Sequence, residues 1–164
     1  NEKDMAQAGD YNLPQIMYDR LRLTKERIEQ MALGVRELVD LEDPIGEVME
    51  SSTRPNGMEI TKVRVPLGVI AMFYEARPNV TVDAAALCMK TGNAVILRGG
   101  KEAFHTNECL VNLLRDALTE VNLPADAVEL VTVTDRAAVS DLLRQREYID
   151  VVIPRGGAGL LNEL

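Results

Sequence analysis

The chain has 164 residues, 46% of them hydrophobic, and a formal net charge of −8 from 18 Lys+Arg against 26 Asp+Glu. That length and apolar content suffice for a domain with its own core. The acidic balance argues against a nucleic-acid or anionic-membrane surface, and no apolar run approaches the ~20 residues that cross a bilayer.

The opening residues, Asn1-Glu2-Lys3-Asp4, lack the charged-then-apolar layout of a secretory signal. Cys88 and Cys109 fall inside helical patterns with neither CxxC nor Cys/His spacing, which suits reduced thiols and a cytoplasmic location better than a disulfide scaffold. His105 is the single histidine, so no structural zinc site is expected, nor any other metal.

Residues 1–50 read as helical. Asp10–Leu13 is placed to cap a short helix, and Pro14 suits a first turn. Thr24 is a natural N-cap for a helix over Lys25–Val39, where Ile28, Met31, Ala32, Val35, Leu38 and Val39 recur at helical spacing. Asp43-Pro44 breaks that pattern. From Val48 to Val65 apolar residues partly alternate around the turn Arg54-Pro55-Asn56-Gly57, which predicts a β-hairpin.

From Pro66 onward, strand and helix alternate. Leu67–Tyr74 reads as an apolar strand, Val80–Lys90 as a helix closed by Gly92, and Ala94–Leu97 as the next strand. An amphipathic helix follows over Phe104–Val121. After it come a strand at Val128–Val133, a helix at Arg136–Arg146, a strand at Tyr148–Ile153, and the start of another helix. Apolar, β-branched strands alternating with helices predict a parallel Rossmann-like sheet covered by helices, preceded by N-terminal helices and the hairpin. The division expected is 1–47 helical, 48–65 hairpin, and 66–164 an α/β domain.

Ligands of such sheets bind beyond the carboxyl ends of the strands, where three segments stand out. Arg98-Gly99-Gly100-Lys101-Glu102 puts two cations around a glycine pair, in an otherwise acidic chain. Glycines allow a sharp turn and close backbone approach to an anion. The plainer reading is a tight connection with solvated cations. The segment is neither GxGxxG nor a P-loop, because Lys101 is not followed by Ser or Thr, so ATP hydrolysis is not expected.

Arg155-Gly156-Gly157-Ala158-Gly159 repeats the arrangement at the last strand, and suits either a pyrophosphate or a simple turn. Glu75-Ala76-Arg77-Pro78-Asn79 sets an acid, a cation and an amide at a third strand end. Asn79 is placed either to contact a ligand or to cap the next helix. Cys88, Cys109 and His105 read as packing or surface residues, not nucleophiles, because neither thiol has a cationic partner to make a thiolate.

Four strings carry a resemblance: Val63-Arg64-Val65-Pro66-Leu67-Gly68-Val69-Ile70, Tyr74 to Asp83, Lys90 to Glu102, and Ile153 to Leu160. They closely resemble the gamma-glutamyl phosphate reductases (glutamate-5-semialdehyde dehydrogenases) of the aldehyde dehydrogenase superfamily. The match is most specific from about residue 60 onward. Leu41-Glu42-Asp43-Pro44-Ile45-Gly46 is similar but less diagnostic.

The resemblance implies NADPH-dependent reduction of L-glutamyl 5-phosphate to L-glutamate 5-semialdehyde, with release of phosphate, in proline biosynthesis. It places Arg98, Gly99, Gly100 and Lys101 at the adenosine end of NADPH, where two cations suit a 2′-phosphate. It places Arg155, Gly156, Gly157, Ala158 and Gly159 near the pyrophosphate, and Glu75, Arg77 and Asn79 near the nicotinamide and substrate.

The superfamily's cysteine nucleophile, which displaces phosphate to give a thioester, matches neither Cys88 nor Cys109. The chain is therefore expected to be a catalytically inactive fragment of a homo-oligomeric enzyme. The alternatives are a stand-alone nucleotide- or phosphate-binding module, or a structural piece assembling through its hairpin edge.

Overall fold

The computed structural model describes residues 1–135 and 137–157. Its centre is a four-stranded, all-parallel sheet built from β3 (Val69–Tyr74), β4 (Ala94–Arg98), β5 (Val128–Leu130) and β6 (Val151–Arg155), in the order β5-β4-β3-β6. The chain steps outward from β3 to β4 to β5, then returns across the sheet to place β6 on the other side of β3. The reversal point therefore lies between β3 and β6, where a crevice opens beyond the carboxyl ends in folds of this kind.

β3 shows how alternation builds two cores from one strand. Ile70 and Tyr74 pack with Val80, Ala84, Ala85, Cys88 and Val111 of α4 (Pro78–Lys90) and α5 (Phe104–Glu120). Ala71 and Phe73 face the opposite way, onto Val139 and Leu142 of α6 (Ala137–Leu143). A strand buried on both faces needs an unbroken apolar run, and Val-Ile-Ala-Met-Phe-Tyr supplies it.

Each boundary has a local cause. β3 begins at Val69 and not at Leu67, because Gly68 adopts φ +114° and the exposed Leu67 lies outside the ladder. The Asp150 carboxylate accepts the Val69 N–H at 2.8 Å, so β6 starts only after it, at Val151. β5 stops at Leu130 instead of Val133. Its partner β4 gives way to the glycine turn after Arg98, and the Val131 N–H to the Leu97 carbonyl is the last bond available. β6 runs on to Arg155 through Pro154, which an outer strand tolerates.

The first 40 residues form α1 (Glu2–Gln7), a 3₁₀ turn (Ala8–Tyr11), α2 (Gln15–Leu21) and α3 (Lys25–Asp40), the last capped by Thr24, whose hydroxyl accepts the Arg27 N–H. Pro14 stands just before α2 as its N-cap. Ala8 and Leu21 pack on Ala76 and Ala103, so this segment lies over the carboxyl end of the sheet.

The attachment is polar as well. The buried Asp4 carboxylate accepts the backbone N–H groups of His105 (3.0 Å) and Thr106 (2.7 Å) and the Thr106 hydroxyl. It thus supplies the cap that α5's own sequence lacks. The hairpin β1 (Val48–Thr53) and β2 (Glu59–Val63) is antiparallel, turns at Gly57 with φ +85°, and is exposed along its whole length.

Candidate functional site

Two strand ends meet at the reversal point. Tyr74 and Arg155 are register partners in β3 and β6, so the residues that follow them, Glu75 and Gly156, leave the sheet side by side. The Glu75 carboxylate accepts the Gly157 N–H at 2.8 Å, closing the gap between the two turns. Above this contact lies a groove of about 600 Å³, walled by Glu75, Arg77, Arg155 and Gly157 and, from the N-terminal segment, by residues including Pro14 and Arg20. Three guanidinium groups face one carboxylate there, an electrostatic setting for an anion in a chain that is acidic overall.

The glycine turn after β4 packs closely on neighbouring elements. A Cβ on Gly99 would lie 2.3 Å from Asn107 Nδ2 and 3.0 Å from the Tyr74 ring, and one on Gly100 would lie 2.9 Å from the Ala76 backbone nitrogen. Both glycines are needed because protein closes on them. Beneath Gly99 runs a buried chain of hydrogen bonds. Thr81 donates its hydroxyl to Asn107 Oδ1 at 2.8 Å, which leaves Tyr74 as the donor in the 2.7 Å bond to Thr81. Burial pushes the Tyr74 hydroxyl up to about 12, against a smaller downward pull from Thr81, so it stays protonated at neutral pH.

The two cations of that turn diverge. Arg98 donates to the carbonyls of Thr134 (3.2 Å) and Asp135 (3.5 Å), bracing the loop after β5. Lys101 is exposed and stands over the Tyr11 ring, 5.0 Å from its centroid.

Of the third segment, Glu75 and Arg77 line the groove and Asn79 does not. Asn79 is also not a cap: α4 starts one residue earlier, at Pro78, with Arg77 before it, and the Asn79 amide donates to Asp83 at 3.2 Å. Proline's preset φ fits a first helical position, which moved the boundary. Ala158 and Gly159 lie outside the described residues.

Cys88 is packed in α4, where burial raises its pKa, and Cys109 is exposed on α5. Among the described residues no cluster of His, Cys, Asp or Glu is placed to hold a metal, and no helix is long and apolar enough to cross a membrane. Asp4 and Arg20 entered the site region without any sequence signal, since both act across long chain separations.

A parallel sheet that reverses between its first and fourth strands, with glycine turns at the strand ends, defines a doubly wound α/β fold of dinucleotide-binding type. More particularly, the chain belongs to the aldehyde dehydrogenase family, whose family model matches residues 20–159. Members of that family use nicotinamide cofactors.

Among curated proteins it is 56% identical, over all 164 residues, to the gamma-glutamyl phosphate reductase of Geobacillus sp. (strain WCH70). Among solved structures it is similar to the gamma-glutamyl phosphate reductase of Thermotoga maritima, with TM-score 0.94, 42% identity, and coverage of 98% of this chain and 39% of that one. The Saccharomyces cerevisiae gamma-glutamyl phosphate reductase gives TM-score 0.89 at 34% identity, covering 99% of this chain and 41% of that one. The chain spans about 40% of the length of the curated relatives it matches.

Proposed function

We propose that this chain is the cofactor-binding portion of an NADPH-dependent gamma-glutamyl phosphate reductase. That enzyme reduces L-glutamyl 5-phosphate to L-glutamate 5-semialdehyde and phosphate in proline biosynthesis, in the cytoplasm. The observation that carries this reading is end-to-end similarity, 52–56% identity across the chain, to relatives of that one name. In this reading residues 1–47 and the hairpin at 48–65 precede a partial NADP-binding domain at 66–164. The reacting thiolate and the contacts of a homo-oligomer come from outside the chain, and the chain by itself is inactive.

The residues fit the cofactor's charge. Arg155 lines the groove at the reversal point, and Gly156 and Gly157 beside it carry backbone N–H groups suited to a pyrophosphate. Ala158 and Gly159 are assigned to the same pyrophosphate from the sequence motif alone. At the end of β4 stands Arg98, where readers of NAD usually present an acid to the free ribose hydroxyls.

Lys101, exposed, is assigned to the 2′-phosphate. Arg98 acts beside it by holding the Thr134–Asp135 loop, and Gly99 and Gly100 let that turn pack down on Tyr74 and Ala76. Glu75, Arg77 and Asn79 border the nicotinamide and substrate end. NADPH, when bound, supplies the hydride. The chain's own contribution is to hold the dinucleotide's anionic groups and orient it across β3 and β6.

Calorimetric titration of the chain with NADPH, NADH and ATP tests the reading. NADPH binds most tightly, and preference for ATP overturns it in favour of a stand-alone nucleotide-binding module. The Lys101→Ala variant loses affinity for NADPH, by about tenfold for one charge-assisted contact, and little for NADH. Arg98→Ala, which frees the loop, weakens both.

A further inference from the structure

The groove above Glu75 does not stop at Arg77. Arg20 and Arg77 also wall a second cavity of about 380 Å³, set between α2, α3 and the first turns of α4. Its remaining charges include Asp19, Arg27 and Asp83, with the Asn79 amide among them.

Two of these groups neutralise each other. Arg27 pairs with the Asp19 carboxylate at 2.9 Å and also donates to the Arg22 carbonyl at 2.8 Å. Three others have no ion pair among the described residues: the guanidinium groups of Arg20 and Arg77, and the Asp83 carboxylate, which accepts only the neutral Asn79 amide. Two cations and one anion thus face the same small space without charged partners, beside the groove assigned to the cofactor. Such a pattern complements a ligand end that carries both a carboxylate and an ammonium.

We propose that this cavity holds the α-amino-acid end of the substrate. Arg20 and Arg77 take the α-carboxylate, Asp83 takes the α-ammonium, and the Asn79 amide keeps the Asp83 carboxylate in place. The acyl-phosphate end of the molecule then reaches past Arg77 into the neighbouring groove. The proposal rests on the reductase reading above and adds to it the residues that select an amino acid over a plain acyl phosphate. A planar guanidinium recognises a carboxylate by two parallel hydrogen bonds, so lysine does not replace arginine here.

The test uses the full-length reductase carrying this chain, assayed in the oxidative direction with NADP⁺ and phosphate. Three aldehydes are compared: L-glutamate 5-semialdehyde, 5-oxopentanoate, which lacks the ammonium, and 4-aminobutanal, which lacks the carboxylate. Asp83→Asn lowers kcat/KM for the semialdehyde by about tenfold or more and leaves 5-oxopentanoate within about twofold.

Arg20→Gln does the same for the semialdehyde while sparing 4-aminobutanal. Asp83 and Arg20 are both exposed, so folding is retained, and an unchanged urea unfolding midpoint verifies it. Variants that lose all three substrates equally, or none, overturn the proposal alone. A wild-type enzyme inert toward all three aldehydes overturns the reductase reading and the proposal with it.

Discussion

Glu75 and Gly157 lie 82 positions apart in the chain and are joined by a 2.8 Å hydrogen bond from the glycine N–H to the glutamate carboxylate. The bond ties the end of β3 to the end of β6 at the point where the sheet reverses. It also occupies a backbone donor of the kind that a bound pyrophosphate uses.

A carboxylate and a phosphate compete for that N–H. Glu75→Gln retains a side-chain acceptor but removes the negative charge from the groove. NADPH affinity in the chain is expected to rise, by about 1 kcal/mol or roughly fivefold in Kd. Calorimetry reads this directly. A loss of affinity would instead make Glu75 a support for the turn.

Two glycine substitutions should have opposite signs. Gly34 lies within α3, where an added Cβ meets nothing within 4 Å, so Gly34→Ala stabilises the fold by about 0.5–1 kcal/mol. Gly99→Ala drives a methyl to 2.3 Å from the amide nitrogen of Asn107, whose other atom is held by Thr81, and to 3.0 Å from the Tyr74 ring. It costs about 1–3 kcal/mol. Urea unfolding of the two variants beside the parent chain separates the effects.

The buried Tyr74 hydroxyl makes a prediction about alkaline pH. In the unfolded chain a tyrosine loses its proton near pH 10, whereas in the fold Tyr74 holds it to about 12. Between those values the unfolded state binds fewer protons, so stability falls as pH rises. The decline from this group approaches about 2–3 kcal/mol by pH 12 and is absent below pH 10. Tyr74→Phe loses about 1 kcal/mol at neutral pH with the bond to Thr81, but its stability declines less steeply above pH 10. Urea midpoints of both proteins at pH 8 and pH 11.5 give the comparison.

Much of the architecture was legible in the residues. The apolar run at Val69–Tyr74, the Thr24 cap, the Asn56-Gly57 turn and the alternation after Pro66 each report a local preference that the fold obeys. Strand ends were less legible, because a ladder stops where its partner stops: Val131 to Val133 have strand-forming side chains but no β4 beyond Arg98 to pair with. At the site, the three special strand ends were identifiable as glycines and charges. Their partners were not.

By itself, then, the amino-acid sequence determined the order of strands and helices, the parallel sheet, the glycine turns and the family. The elements, the sheet and the turns are written in composition and spacing along neighbouring residues, and the family in the resemblance of four strings. Only the tertiary structure decided which of those groups meet. It turned Gly99 and Gly100 onto Tyr74 and Ala76, sent Arg98 and Lys101 to different partners, capped α5 with Asp4 from about 100 residues away, and set Arg20 beside Arg77. The reason is physical. Local conformation follows from short-range sterics and hydrogen bonding, whereas the partner of a side chain is set by how the packed layers bring distant segments together.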